Sequence, residues 1–401
     1  MTLPRPAAAP VLLYLVTEDW YFLSHRIPMA LAAQRAGYEV HVATHVVDGA
    51  ERIEALGFQL HPLKWRRGSL NPFDLIAIIR EVRTLYRRLA PDLVHHVALQ
   101  PSVIGSLAAR GLAIAQLNAF AGLGSTFTSQ SLKSRLVRPV LKALLRWILN
   151  GRRASALVQN GDDRDAITAV GVDADRVFLI PGSGVDVDVL TPLPEPEGDV
   201  TIAYVGRLLE DKGLRTVIAA HDLLNARGLP VRLLIAGLAD PANPASIPDA
   251  EIQSWARKPN VTLLGHVNDV RWVWARAHIA VLLSRREGLP KSLLEAAACA
   301  RPIVASDVPG CREIARNGVN GLLVPPDDPQ ALAAAIEQLT RDPALRRLYG
   351  AAGRHLVETE FSSARIGGKT VELYDRLLGR TACRRGTLTA KDASSEQVGR
   401  G

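Results

Sequence analysis

Apolar runs of strand length alternate with stretches of helical periodicity along nearly the whole chain, and the alternation is interrupted once. VLLYLV (Val11–Val16) is apolar throughout. That suits a strand covered on both faces, whereas a sheet wetted on one side alternates apolar with polar residues. Ser24–Arg35 has helical spacing, YEVHVA (Tyr38–Ala43) reads as a strand, Leu75–Leu89 as a helix and LVHHVA (Leu93–Ala98) as a strand. Residues 181–199 hold four prolines and three glycines and carry no apolar stripe, which is linker composition. The alternation then restarts with TIAYVG (Thr201–Gly206), a helix over Gly213–Ala226 and VRLLIAG (Val231–Gly237). This order predicts an α/β chain of two Rossmann-like, doubly wound parallel-sheet domains, residues 1–180 and 200–360, joined by the 181–199 linker. A last helix is expected over 361–379 and a polar, disordered tail over 380–401. Open parallel sheets bind ligands beyond the carboxyl ends of their strands, so a cleft shared by two facing domains is the expected site.

Charge narrows the partner. The net charge is +8, and no acidic residue occurs between Asp92 and Asp162. Within residues 131–153, Arg135, Arg138, Lys142 and Arg146 recur on one helical face beside Leu136, Val140, Leu144 and Trp147, with Pro139 starting or kinking the helix. The segment reads as a basic amphipathic helix lying on an anionic membrane, or as a core helix with a solvated basic face. Aromatic residues make up 5% and offer no stacking platform, so nucleic acid is not an expected partner. No apolar run reaches the roughly 18 residues that span a bilayer. No secretory leader is visible either, which together predict a cytoplasmic protein, peripheral at the inner face of the membrane. Cys299, Cys311 and Cys383 lack metal spacing and fit a reducing compartment. There is no Walker A loop and no G-x-G-x-x-G after a strand. The D-x-D pairs at Asp163, Asp173 and Asp186 read as caps and turns, so neither a metal nor another cofactor is expected.

The chemistry-bearing residues cluster in two stretches. In REGLPKSLLEAAACARPIVAS (Arg286–Ser306), Pro290 suits the start of a helix whose free N–H groups, such as those of Lys291 and Ser292, favour an anion. Glu287 and Glu295 flank that anion site, where carboxylates accept from neutral sugar hydroxyls rather than face a phosphate. In VGRLLEDKGL, Arg207 and Lys212 fall at the top of a sheet and can neutralise a departing diphosphate. GSGVD (Gly182–Asp186) allows close backbone approach or a hinge. Each residue also has a plainer reading as a surface charge, a solvated cation or a turn.

Taken in order, GSGVD, VGRLLEDKGL, LLGHVNDV and SRREGLPKSLLEAAACARPIVASDVPGCREIARNGVNGLLVPPDDPQAL resemble the retaining glycosyltransferases of family 4, which have the GT-B fold. SHRIPMALAAQRAGYEV, TEDWYFLSHR and DLVHHVALQP resemble bacterial members that build lipid-linked and surface polysaccharides. The resemblance implies a nucleotide-sugar donor, UDP-sugar favoured, and a membrane-linked glycan acceptor. It matches Arg207 and Lys212 to the diphosphate pair and Glu287 to the glutamate facing the donor sugar. Gly288, Leu289, Pro290 and Lys291 match the adjoining loop, Glu295 the ribose carboxylate, and His266 and Val267 the base contact. His96, or His95 in the other register, matches the histidine near the acceptor, and His25 is placed on the acceptor side with it; Lys64, Arg66 and Arg67 join them by their charge, near a likely strand end, which suggests attraction to a polyprenyl-diphosphate-linked acceptor. Catalytic roles fall to Glu287, His96, Arg207 and Lys212. No placed nucleophile appears, in keeping with front-face substitution in which the diphosphate takes the acceptor proton. The last helix is expected to cross back onto the first domain. A sugar-nucleotide epimerase, a phosphorylase of similar fold and a non-catalytic membrane-binding module are the competing readings.

Overall fold

The computed structural model describes residues 9–65, 71–120, 132–241 and 243–380. Seven described strands form a first sheet: β1 (Val11–Glu18), β2 (Glu39–His45), β3 (Gln59–Pro62), β4 (Leu93–Val97), β5 (Ala115–Ala119), β6 (Ala154–Val158) and β7 (Val177–Leu179). Its helices are α1 (Asp19–His25), α2 (Ile27–Arg35), α3 (Ala50–Ala55), α4 (Pro72–Leu89), α5 (Leu99–Ala108), α6 (Leu132–Leu149) and α7 (Gly161–Ala169). Six strands form a second sheet: β8 (Thr201–Val205), β9 (Arg232–Ala236), β10 (Val261–Gly265), β11 (Ile279–Leu282), β12 (Ile303–Ser306) and β13 (Gly321–Val324). With it go α8 (Leu214–Ala226), α9 (Asp249–Ala256), α10 (Val270–Trp274), α11 (Lys291–Ala298), α12 (Pro309–Ile314), α13 (Pro329–Arg341) and α14 (Pro343–Leu356). Helix α15 (Ser363–Leu377) ends the described chain's regular structure.

The strand orders are β3-β2-β1-β4-β5-β6-β7 and β10-β9-β8-β11-β12-β13, and the pairs are parallel. Each sheet therefore has one place where the strand order reverses: between β1 and β4, and between β8 and β11. The predicted doubly wound α/β architecture, twice over, is the architecture observed. Continuous burial along β1, β4, β6, β11 and β12 explains the unbroken apolar runs, since helices cover both faces.

Helix α15 packs on the first layer: Ile366, Leu373 and Tyr374 are buried in the same cluster as Leu12, Tyr14 and Met29. The chain thus passes between layers twice, and the passages touch. Val185 N donates to Phe361 O at 2.9 Å, and Ser363 N donates to Val185 O at 2.8 Å. Gly184 permits the contact, because at φ +69° a Cβ there would lie 2.8 Å from Phe361 O.

Two local expectations need correction. Ser24–Arg35 is not one helix: α1 and α2 meet at Arg26, because Pro28 has no N–H and its ring clashes with the carbonyl four residues back. In α6, Pro139 lies inside the helix, and the buried face is Leu145, Ile148 and Leu149; Val140 and Trp147 are exposed beside Lys142 and Arg146.

Candidate active site

The two reversal points face each other across a cleft of about 600 Å³. From the first layer it is lined by Glu18 at the end of β1, by Trp20, Tyr21, His25 and Arg26 after it, and by Ala98–Pro101 after β4. From the second it is lined by residues after β8 (Arg207, Leu209, Asp211, Lys212) and after β11 (Arg286, Glu287, Gly288, Leu289). Gly182 and Ser183 close it at the crossing between layers.

Backbone geometry brings Lys212 to Glu287. A short 3-10 turn, Glu210–Lys212, is followed by Gly213 at φ +70°, and α8 starts beyond it. A Cβ on Gly213 would sit 2.0 Å from Leu283 O, so this turn rests directly on the end of β11. From there Lys212 Nζ donates to Glu287 Oε1 at 2.6 Å, and Ser284 Oγ donates to the same oxygen at 2.6 Å. Arg207 pairs with Asp240 at 3.3 Å and Arg286 with Asp211 at 2.8 Å. Gly310, at the start of α12, lies under the Glu287–Gly288 backbone, where a Cβ would be 2.5 Å from Gly288 O. The arrangement presents cations along one wall and a carboxylate whose second oxygen has no described protein donor. It can hold a diphosphate and, beside it, a hydroxylated ring.

Two bonds tie this wall to the first layer. Asn160 caps α7 and donates from Nδ2 to Gly288 O at 2.9 Å. Lys291 Nζ donates to Ser24 O at 3.0 Å, the very carbonyl that Pro28 leaves without a helical donor. Lys291 is also 3.4 Å from Glu295. Burial pushes the Glu295 carboxyl above its usual range, with Lys291 opposing. His25 stacks on Tyr21 with ring centroids 4.4 Å apart and its Nδ1 meets Ser24 Oγ at 2.6 Å. Burial, then the charges of Arg26, Lys291 and Arg207, hold its imidazole down to about 3.

Of the predicted residues, Arg207, Lys212, Glu287, Gly288, Leu289 and His25 line the one cleft. Pro290, Lys291 and Glu295 follow directly along α11 but do not line it. His266, which meets Asn268 at 3.1 Å, and Val267 lie beyond β10 on the same sheet edge, outside the lining. His96 is a correction. It is fully buried, with Nδ1 on Asn118 Oδ1 at 2.8 Å and Nε2 on the Tyr86 hydroxyl at 2.9 Å, under Gly105. Successive strand residues point to opposite faces, so His95 turns the other way, onto the Tyr374 hydroxyl at 2.6 Å, and neither histidine reaches the cleft. The residues just beyond them, Ala98–Pro101, are the ones that line the cleft. Lys64 lines an adjoining hollow of about 190 Å³ with Trp65 and Asp74, which shares Gln100 with the cleft; Arg66 and Arg67 lie outside the described residues.

Sequence reasoning missed Arg26, Asn160 and Ser284. It also missed Asp19, a buried carboxylate that accepts from the N–H groups of Val47, Asp48 and Gly49 at 2.8–3.1 Å and so anchors the loop after β2. Pro28 was the readable signal for Arg26; the others depend on long-range contacts.

Comparison with known proteins supplies the family. Residues 199–342 match the model of glycosyl transferases group 1, and residues 11–160 that of glycosyl transferase 4-like proteins. The chain is 26% identical over 379 residues to an N,N'-diacetylbacillosaminyl-diphospho-undecaprenol α-1,3-N-acetylgalactosaminyltransferase of Campylobacter jejuni, covering 89% of this chain and 98% of that protein. It is 33% identical over 177 residues to the capsular polysaccharide biosynthesis glycosyltransferase CapM of Staphylococcus aureus, covering 44% of this chain and spanning about half the length (46%) of that relative. Among solved structures, Anabaena HepE in complex with UDP and glucose superposes with a TM-score of 0.72 at 17% identity, covering 91% of this chain and 99% of that one. The chain belongs to the family 4 glycosyltransferases and folds as a GT-B enzyme.

Proposed function

We propose that this glycosyltransferase moves a hexose or N-acetylhexosamine, with retention, from a UDP-sugar to a membrane-linked glycan in bacterial surface polysaccharide assembly. The observation that carries the reading is the Lys212–Glu287 pair at the reversal point of the second sheet, with Arg207 on the adjoining strand end. In this reading Arg207 and Lys212 hold the donor diphosphate and stabilise it as it leaves. Glu287 accepts from donor-sugar hydroxyls, with Gly288 and Leu289 as the floor beneath the ring. His266 and Val267 meet the base, and Glu295 serves the ribose. The acceptor enters from the first-layer wall and gives its proton to the departing diphosphate, so the protein positions groups and stabilises charge.

Supporting the donor assignment is the fold shared with a protein crystallised with UDP and glucose, and supporting the acceptor is a relative named for a diphospho-undecaprenol substrate. Membrane association belongs to the same proposal. Lys142, Arg146, Trp147 and Val140 are exposed on α6, mixing positive charge with apolar surface as interfacial helices do. No described helix is long and apolar enough to cross a membrane. The direct test is a thermal-shift series with UDP, GDP, ADP and their sugars, followed by product analysis by NMR on lipid-linked saccharides. UDP stabilisation and an α-configured product are expected from an α-linked donor; turnover of donor without acceptor would favour an epimerase instead.

A further inference from the structure

Arg26 is buried and lines the cleft, yet no described carboxylate partners it. The residue is 2% exposed, and Nε has no hydrogen-bond partner among the described residues. Nη1 reaches Met29 Sδ at 3.6 Å, and thioether sulfur is a weak acceptor. Behind it lie neutral groups: Tyr14 and Tyr374 share a hydroxyl–hydroxyl bond of 2.8 Å, and Tyr374 meets His95. The Asp19 carboxylate is committed to backbone N–H groups. A guanidinium does not shed its proton in proteins, and an unmatched buried charge is costly. The break that Pro28 makes between α1 and α2 is what turns this residue toward the cleft.

We propose that Arg26 is the base of an oxyanion subsite on the first layer, which takes a phosphoryl group of the acceptor while Arg207 and Lys212 hold the donor diphosphate. The assignment rests on the donor reading above. A phosphoryl group supplies the missing negative charge and fits the planar fork, which a sugar hydroxyl does not. Helix α5 starts on the same wall, where Leu99 and Gln100 line the cleft at the helix's positive end. The two anion sites therefore lie on opposite layers, so a phosphorylated acceptor and the donor need not compete.

The test is isothermal titration of inorganic pyrophosphate into the full chain saturated with UDP. The wild type is expected to bind, Arg26→Gln to bind at least about 10-fold more weakly, equivalent to about 1.4 kcal/mol, and UDP affinity to stay within about twofold. Arg26→Lys, which keeps the charge without the fork, is expected to fall between. Equal pyrophosphate affinity in wild type and Arg26→Gln overturns the assignment. So does a matching loss of UDP affinity, which would move Arg26 into the donor pocket, or a wild type that takes no pyrophosphate beside UDP. Should Arg26→Gln fail to fold, Arg26→Lys decides, with unchanged affinity counting against. If the wild type does not bind UDP, the donor reading falls by itself, and pyrophosphate titrated into the UDP-free proteins still reads Arg26.

Discussion

Lys291 Nζ donates to the backbone oxygen of Ser24 at 3.0 Å, joining residues 267 positions apart through a carbonyl that Pro28 leaves unserved. The bond ties the start of α11 to the α1–α2 break, beside the cleft. Lys291→Met is expected to raise the donor KM about 10-fold while costing about 1 kcal/mol or less in stability, since one hydrogen bond is lost. Pro28→Ala restores a helical donor for Ser24 and should move KM the same way. Steady-state kinetics beside thermal melts would decide, and an unchanged KM in both variants would count against the tie.

Lys212 and Glu287 form a part-buried pair, with side chains 22% and 9% exposed. Lys212→Met and Glu287→Gln are each expected to lower kcat/KM by about 100-fold or more, because each removes a charge aimed at the reacting region. The double variant should fall well short of the product of the two losses, since the residues act as a unit. Full activity in either single variant is the result that would sink the proposed function.

Gly213 and Gly228 have nearly the same positive φ, +70° and +71°, but different surroundings. At Gly228 a Cβ meets nothing within 4 Å, whereas at Gly213 it meets Leu283 O at 2.0 Å. Gly228→Ala is expected to cost about 1 kcal/mol from conformation alone. Gly213→Ala should cost clearly more and also weaken UDP binding, since the turn that carries Lys212 must shift. Chemical denaturation and UDP titration of both variants provide the comparison.

How far these features were readable depends on their range. The layered fold was legible because a strand covered on both faces leaves an unbroken apolar run, and the runs recur. Arg207, Lys212 and Glu287 were legible because each lies just past a strand end in a turn marked by glycine or proline. His96 was misread because a sequence shows that a histidine ends a strand but not which way it faces; Tyr86, Asn118 and Gly105 settle that. Arg26 was hidden inside an apparently continuous helix, and its unpaired state is visible once the surrounding carboxylates are placed.

His95 and His96, fully buried, and His25, half-buried at the cleft, set a pH dependence. Burial holds His25 at about 3 and His96 at about 4, and keeps His95 well below the usual imidazole value. An unfolded imidazole titrates near 6.5, so between these values the unfolded chain carries more protons and stability rises with pH. That contribution is fully present above about pH 6.5 and is lost as pH falls toward 3–4. Glu295, raised by burial, opposes it with the other sign. Calorimetry is expected to show a melting temperature nearly flat above pH 7 and falling between about pH 6.5 and 4. Across pH 6–8 the activity should show no inflection from His25; a fall in stability that begins only below pH 4 would contradict the assignment.

The paired passage of Val185 against Phe361 and Ser363 has a mechanical consequence. Two straps bonded to each other cannot flex separately, so they serve as one axle, and any gaping of the molecule is a swing about that line and not a slide. Gly182 and Ser183, at the axle, then travel least. Scattering curves with and without UDP would register that swing. Leu289, which a Cβ on Gly182 would meet at 2.6 Å, sits beside that line and keeps its place as the walls part.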